Sequence, residues 1–190
     1  MSFAILKPTL ALLPSYVAAL EAGWSPDNVR QEKTAREQLE RIAIDPQAFV
    51  DSLDNPKAVG DPIALPDGSF VQRLPNMIRW MWDGEFCGSI GFRWQPGTSE
   101  LLPHVLWHIG YGVVPWKRRR GYARQALTAI LPEARRRGMP YVELTTDPDN
   151  PASQKVITAC GGVLVERFRK VEAYGGGEAL RFRIELDSIR

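Results

Sequence analysis

The residues best suited to bind a small ligand lie in a basic loop near the middle of the chain. The segment Val113-Val-Pro-Trp-Lys-Arg-Arg-Arg-Gly-Tyr-Ala-Arg124 reads as a strand end, a loop with three arginines, and a glycine that opens a helix. The first N–H groups of a helix have no partner inside it, and the helix dipole adds about half a positive charge there. Gly121 lets the main chain approach a ligand closely. These features predict a cradle for a pyrophosphate group.

This loop differs from the common phosphate-binding motifs. It lacks the Gly-Lys-Ser/Thr ending of a Walker loop, and it does not contain the GxGxxG pattern of dinucleotide-binding folds. The arginine run at residues 118–120 also fits a solvated face or a nucleic-acid patch. The glycine that opens the next helix favours the phosphate-binding interpretation.

The pattern of apolar residues predicts an α/β protein that places this loop between a strand and a helix. Asp83-Gly84 between two apolar runs indicates a hairpin, and Asn150-Pro151 is typical of a helix start. Three prolines make residues 51–68 a long irregular loop. The predicted strands cover 2–7, 77–82, 85–94, 105–114, 141–146, 163–171 and 179–186, and the predicted helices cover 11–22, 28–44, 121–137 and the segment after Asn150.

Composition excludes several classes of protein. A chain of 190 residues with 44% hydrophobic residues suits one domain, residues 1–190. A net charge of +2 argues against bulk nucleic-acid or membrane binding, and no apolar run is long enough to predict a transmembrane helix. Only two cysteines, Cys87 and Cys160, are present, so neither a disulfide framework nor a cysteine zinc site is indicated. We therefore expect a cytoplasmic protein without a metal.

Two short motifs at a suitable distance resemble one enzyme superfamily. Arg118-x-x-Gly121-x-Ala123 matches the GNAT signature Arg/Gln-x-x-Gly-x-Gly/Ala. Asn150-Pro-Ala-Ser153, which follows the next predicted strand, resembles the family's Asn-x-x-Ala/Ser helix start. The chain is therefore similar to N-acetyltransferases of the GNAT superfamily, which use acetyl-coenzyme A.

The resemblance is densest in the middle of the chain. His108-Ile-Gly-Tyr111 is similar to the corresponding stretch in a bacterial subgroup of GNAT acetyltransferases. The resemblance implies a single domain with an acetyl-CoA-binding core at 75–170. Residues 1–70, a strand, two helices and a loop, would then form part of the acceptor side, and 171–190 would supply a C-terminal strand.

The implied fold is an α/β GNAT fold. It has a central mixed, mostly antiparallel, twisted sheet of about six or seven strands, flanked by about four helices. At the CoA site two parallel strands splay apart, and the pantetheine arm enters the gap and hydrogen-bonds like an extra strand.

The resemblance also implies how acetyl-CoA is held as a cosubstrate. Main-chain groups at the end of the strand before the loop would bind pantetheine, and the loop itself would bind the pyrophosphate. Asn150 would contact the pantetheine region and Ser153 the phosphates, although each also fits a purely structural role at a helix start. The residues expected to bind acetyl-CoA are Val113, Val114, Arg118, Arg119, Arg120, Gly121, Tyr122, Ala123, Arg124, Asn150 and Ser153.

The implied reaction is direct attack of a primary amine on the thioester in a ternary complex. Many GNAT enzymes protonate the leaving thiolate with a tyrosine seven residues after the helix-opening Asn, but this chain has Ile157 there. The candidates for the proton steps are His108, Tyr111 and Glu100. His108 and Tyr111 are three residues apart, so a regular strand places them on opposite faces and only one faces the acceptor.

Two alternatives remain open from the sequence. The absent tyrosine also fits a non-catalytic module that senses acetyl-CoA, and the arginine cluster also fits a nucleic-acid-binding protein, against which the near-neutral charge counts. We expect a small-molecule or peptide amine as acceptor, no nucleic-acid or membrane partner, and a monomer or homodimer.

Overall fold

Helices and strands follow the apolar pattern through most of the chain. The computed structural model describes residues 2–64 and 68–186. In these residues the helices are α1 (Leu13–Glu21), α2 (Gln31–Ile44), α3 (Pro46–Ser52), α4 (Tyr122–Arg136) and α5 (Pro151–Ala159). The strands are β1 (Ala4–Leu6), β2 (Ile63–Ala64), β3 (Phe70–Val71), β4 (Asn76–Trp82), β5 (Phe86–Arg93), β6 (Ile109–Val113), β7 (Tyr141–Thr146), β8 (Val163–Arg169) and β9 (Glu178–Glu185).

Seven of these strands form two antiparallel sheets. The first sheet has the order β1-β4-β5-β6, the second has the order β7-β9-β8, and β2 and β3 form a separate short hairpin. The predicted hairpin around Asp83-Gly84 is confirmed as the antiparallel pair of β4 and β5. The two sheets meet just before β6, where the His108 N–H donates to the Glu143 carbonyl oxygen at 2.8 Å. An α/β fold with antiparallel sheets is confirmed, with five helices instead of about four.

The main hydrophobic core lies between these sheets and the helices α4 and α5. Alternate strand residues such as Phe92, Ile109 and Leu144 are at most 2% exposed on this face. Leu127 and Ile130 of α4 pack against them, because apolar residues recur along the helix at its own period. The helix that carries the basic loop is therefore fixed rigidly to the sheet.

A second core covers the opposite face of β4 and β5 with helices α1 to α3. Tyr16 of α1 stacks on Trp80 with 4.7 Å between ring centroids, and Phe86 meets both rings edge-on. Trp24 and Phe49 close this aromatic cluster. The N-terminal helices thus cover the part of this face formed by β4 and β5.

Some predicted segments differ from the structure. Helix α3 was not predicted; it begins at Pro46, where the Asp45 carboxylate accepts the Ala48 N–H at 2.9 Å. The predicted strand at 105–114 begins only at Ile109, because the chain before it departs from the sheet and its Leu106 carbonyl accepts the Thr145 hydroxyl at 2.6 Å. The predicted loop at 51–68 contains the end of α3 and β2, and its residues 65–67 lie outside the described residues.

Within residues 2–64 and 68–186, none of the helices combines the length and the apolar character needed to cross a membrane.

Gly88 permits the close pairing of β5 with the end of β6. It has a φ of +147°, and a Cβ there would overlap the Gly112 carbonyl oxygen and lie 2.8 Å from the Val113 Cα. We predict that Gly88→Ala lowers the free energy of unfolding by about 2–3 kcal/mol. Gly97→Ala is the control, because Gly97 also has positive φ but open space around it; we expect a loss of about 1 kcal/mol there. Urea unfolding curves measure both, and equal losses would contradict this steric explanation.

Candidate active site

The basic loop presents a series of main-chain N–H groups to solvent. After a short 3₁₀ turn at Pro115–Lys117, both Arg119 and Gly121 adopt left-handed conformations, with φ of 66° and 78°. Within the described part of the chain, no group accepts a hydrogen bond from the N–H groups of residues 119–124. Alternating left- and right-handed residues at a helix start form a concave site for anions. This geometry suits an anion, and the binding of a pyrophosphate here stays a prediction.

The arginines of the loop are exposed and placed around this cradle. Arg118 folds back so that its Nε donates to the Val113 carbonyl oxygen at 3.3 Å. The side chain of Arg120 is 52% exposed to solvent, and its guanidinium group lies 3.8 Å from the Asp83 carboxylate. An open groove of about 470 Å³ begins at Gly121 and continues along α4 past Arg124. Positive charge thus surrounds the free N–H groups without filling the space in front of them.

Behind the loop, an ion pair ties it to the β4–β5 hairpin. Lys117 Nζ lies 3.0 Å from both carboxylate oxygens of Asp83, and 2.6 Å from the Glu85 carboxylate. The Tyr122 hydroxyl, from the first residue of α4, donates to Asp83 at 2.6 Å. Asp83 therefore holds both ends of the turn that contains the cradle. The sequence analysis missed this role because it assigned Asp83 only to the hairpin turn.

The charge state of Asp83 is set by these partners. Burial alone would raise its pKa, but the hydrogen bonds from Tyr122 and Lys117 outweigh that effect and hold the pKa of Asp83 well below its usual range. The hydrogen bond from Lys117 to Glu85 and the neighbouring Asp83 raise the pKa of Lys117. Both groups are therefore charged at neutral pH.

The main chain before the loop offers fewer free groups than the resemblance implies. Val114 is fully buried, its N–H donates to the Cys87 carbonyl oxygen at 3.0 Å, and its carbonyl oxygen accepts the Lys117 N–H at 3.0 Å. Val113 is half-buried and pairs with Gly88 of β5. The contact of either residue with pantetheine stays a prediction.

The start of α5 lies close to β6. The Asn150 side chain caps the helix by accepting the Ser153 N–H at 3.0 Å. The Tyr111 hydroxyl lies 3.0 Å from the Ser153 hydroxyl, so a phenol from β6 reaches the first turn of α5. Burial raises the pKa of Tyr111 to about 12 although the hydrogen bond with Ser153 opposes it. Ile157, one turn later on α5, is 1% exposed and belongs to the core.

His108 and Glu100 lie in different environments from Tyr111. The His108 side chain is buried, and its Nδ1 accepts the Glu143 N–H at 2.9 Å. Burial and the charges of Arg93 and two other nearby arginines lower the pKa of His108 to about 4. A ring that is neutral and has its Nδ1 lone pair engaged is a poor base. Glu100 is exposed, and its N–H donates to the Thr98 hydroxyl at 3.0 Å.

Among the described residues, no group of His, Cys, Asp and Glu side chains is arranged to hold a metal ion.

A protein-family model identifies the class of enzyme to which this fold and sequence belong. Residues 64–163, a little over half of the chain, match the family model for the acetyltransferase (GNAT) domain. The chain belongs to this family and is an acyltransferase. No curated protein matches the sequence.

Solved structures with this fold include several acetyltransferases. The ribosomal L7/L12 alpha-N-protein acetyltransferase RimL, in complex with coenzyme A, has a TM-score of 0.62 and 13% identity, covering 99% of this chain and 96% of its own. A GNAT-family acetyltransferase from Bacillus anthracis has a TM-score of 0.61 and 17% identity, covering 99% and 97%. The microcin C7 self-immunity acetyltransferase MccE, in complex with acetyl-CoA and AMP, has a TM-score of 0.60 and 15% identity, covering 96% and 92%. At these identities the similarity shows a shared fold.

We predict that Asp83→Asn lowers the free energy of unfolding at pH 7 by about 1–2 kcal/mol, because Lys117 then loses one of its two carboxylate partners. The pKa of Asp83 is depressed in the folded state, so its contribution is complete above the unfolded pKa of about 4 and is lost as the pH falls through the folded value. Urea unfolding is measured from pH 7 to pH 3. The difference in free energy of unfolding between wild type and variant should become smaller below about pH 5. Asp51→Asn is the control, since the exposed Asp51 accepts only a Gln47 hydrogen bond. A gap that stays constant down to pH 3 would contradict the assignment.

Proposed function

We propose that the protein transfers the acetyl group of acetyl-CoA to a primary amine. The observation that carries the proposal is the set of free N–H groups at residues 119–124, in a loop bent by left-handed Arg119 and Gly121. A pyrophosphate accepts hydrogen bonds and carries negative charge, so it matches both the donors and the helix dipole. The complexes of RimL with coenzyme A and of MccE with acetyl-CoA support this choice of cosubstrate.

With the pyrophosphate on this loop, the pantetheine arm of acetyl-CoA would lie between β6 and β7. The main chains of β6 and β7 are joined at His108 and Glu143, while β6 continues to Val113 in one sheet and β7 continues in the other. We infer that the two strands splay beyond His108 and that pantetheine enters the gap beside Val113 and Val114. Ser153 and Asn150 lie on the far side of that gap, where α5 begins.

The acetyl group would then lie near Tyr111. An amine nucleophile must arrive uncharged, and the thiolate that leaves must be stabilised or protonated. Ile157 cannot supply a proton, but the Tyr111 hydroxyl reaches the same helix one turn earlier, at Ser153. With a pKa of about 12 the phenol keeps its proton at neutral pH, so it can donate a hydrogen bond to the thiolate. We therefore propose Tyr111 as the acid of the reaction.

Removal of the ammonium proton is assigned to water or to the loop carboxylate of Glu100. His108 is less suited, because its Nδ1 is engaged and its pKa is about 4.

Residues 1–70 would form part of the acceptor side, with 75–170 as the acetyl-CoA-binding core and 171–190 adding the last strand. The fold neighbour RimL, an acetyltransferase of the ribosomal protein L7/L12, supports a protein or peptide amine as acceptor. The protein would act in the cytoplasm, as expected for a chain with two unpaired cysteines.

A non-catalytic sensor of acetyl-CoA is the second candidate, and Ile157 in place of tyrosine is the observation that favours it. Release of free CoA in the presence of a panel of amines distinguishes the two. Turnover with any amine excludes the sensor, whereas tight binding of acetyl-CoA without turnover supports it.

We predict that Gly121→Asp weakens acetyl-CoA binding at least 10-fold, because a side chain and a negative charge enter the cradle. Gly138→Asp is the matched control: Gly138 also has positive φ, no atom lies within 4 Å of its added Cβ, and it follows the other end of α4. Isothermal titration calorimetry measures both affinities, and the wild type should also melt at a higher temperature with acetyl-CoA. Equal affinities of the two variants would place the phosphate site elsewhere.

We predict that Tyr111→Phe lowers kcat by about 10²-fold, the usual scale for loss of a general acid. The Kd for acetyl-CoA should hardly change, because the cradle is untouched. Steady-state kinetics with the best amine from the panel measure kcat, and calorimetry measures Kd. If the variant kept the full kcat, Tyr111 would not be the acid, and water would be the better candidate.

A further inference from the structure

A row of polar side chains crosses the sheets on the face that α4 and α5 leave free. The Arg93 N–H donates to the His108 carbonyl oxygen at 2.8 Å, and the His108 N–H donates to the Glu143 carbonyl oxygen at 2.8 Å. Glu143 in turn pairs with Arg183 in the antiparallel register of β7 and β9. Residues that face each other across strands share a face. We call Arg93, His108, Glu143 and Arg183, together with Arg181 two residues earlier on β9, the polar row.

The polar row lies opposite the main core. Its members alternate with core residues along each strand, as Arg93 follows Phe92 and His108 precedes Ile109. Successive strand residues point to opposite faces. The helices α1 to α3 pack over another part of this face. In the polar row, His108 and Glu143 are buried, with 1% and 5% exposure, whereas the arginines of β9 lie nearer to solvent. The side chains of Arg181 and Arg183 are 24% and 35% exposed to solvent.

The charges in the polar row do not balance. Glu143 pairs with Arg183 at 2.8 Å and lies 3.7 Å from Arg181, which also pairs with Glu166 at 2.9 Å. Three guanidinium groups therefore face two carboxylates. Within residues 2–64 and 68–186, Arg93 has no carboxylate partner, and its guanidinium group lies over the Trp107 ring, 5.2 Å from the centroid.

Two buried donors in the polar row also lack acceptors. His108 Nε2 and Arg181 Nε are buried and, among the described residues, have no hydrogen-bond partner. Since His108 Nδ1 accepts the Glu143 N–H, the neutral ring carries its proton on Nε2. Buried donors are rarely left unsatisfied in native proteins. One oxyanion could accept from both donors and neutralise Arg93.

We propose that Arg93, His108 and Arg181 bind a carboxylate of the acceptor, so that the enzyme prefers acidic amines. This inference rests on the proposed function, which places the reacting amine near Tyr111. Of the polar row, His108 is nearest in the chain to Tyr111, about 10 Å along the strand and on its opposite face, so the acceptor would pass through the gap inferred between β6 and β7. Because an extended chain spans about 3.3–3.6 Å per residue, a peptide with an acidic residue near its free N-terminus has the required reach.

The test compares two acceptors that differ only in charge: the peptide amides Ala-Glu-Ala and Ala-Gln-Ala, each with a free N-terminal amine. The wild type should acetylate the Glu peptide with at least 10-fold higher kcat/KM. Arg93→Met should abolish the preference while activity on the Gln peptide remains, and Arg93→Lys should restore part of it. Arg167→Met, which removes an exposed arginine of the edge strand β8, is the matched control and should leave the preference intact.

A binding measurement keeps the proposal testable if neither peptide is turned over. Glutarate is titrated into ¹⁵N-labelled protein, and the pH titration of His108 is followed by NMR. A carboxylate at Nε2 should shift the ring ¹⁵N resonance of His108 and raise the pKa of His108 from about 4. In Arg93→Met, glutarate should cause neither change.

Equal kcat/KM for the two peptides would overturn the proposal. If neither peptide reacts, an unchanged His108 titration would overturn it instead. Acetyl-CoA binding by the wild type and by Arg93→Met, measured by calorimetry, separates the two inferences. A wild type that binds acetyl-CoA but shows no preference for the Glu peptide contradicts only the polar-row site, whereas a wild type that binds no acetyl-CoA contradicts the proposed function.

Discussion

The ion pair of Lys117 with Asp83 is the constraint on which the cofactor side of the molecule depends. Among the described residues, the loop has no acceptor for its N–H groups at 119–124, so these groups do not stabilise it by hydrogen bonds. It also contains Arg119 in a left-handed conformation that a non-glycine residue rarely adopts. The anchor of Asp83 to Lys117 on one side and to Tyr122 on the other fixes both ends of the turn. Asp83 and Lys117 thus preorganise the loop from behind.

The same sheets present two chemically different faces, and β6 connects them. Tyr111 points towards α5 and the cofactor side, while His108, three residues earlier, belongs to the opposite face with the arginines. In the proposed reaction, the period of a strand would therefore separate proton donation to the leaving thiolate from recognition of the acceptor. His108 is a poor base because its Nδ1 accepts the Glu143 N–H and because burial and nearby arginines lower its pKa.

Features encoded in neighbouring residues could be predicted from the sequence, and those that need distant segments could not. Gly121 at a helix start, the Asp83-Gly84 hairpin and the Asn150 cap are local patterns, and the structure has each of them. Helix α3 was missed although Asp45-Pro46 is a typical start, because the prolines that follow suggested a loop. The pairing of Asp83 with Lys117 joins residues 34 apart, and the polar row depends on strand registers that no single segment encodes.

The core explains why the helix tyrosine of other family members is absent here. Ile157 is 1% exposed, and it packs so closely on Gly162 that a Cβ there would collide with it. A tyrosine at 157 would have to displace the residues of this core, since interiors are close-packed and extra atoms cause strain. The Tyr111 phenol approaches α5 from β6 instead and meets it one turn before Ile157. In the proposed reaction, a hydroxyl group on a strand would thus replace one on a helix, because the packing of α5 leaves no room for a tyrosine at 157.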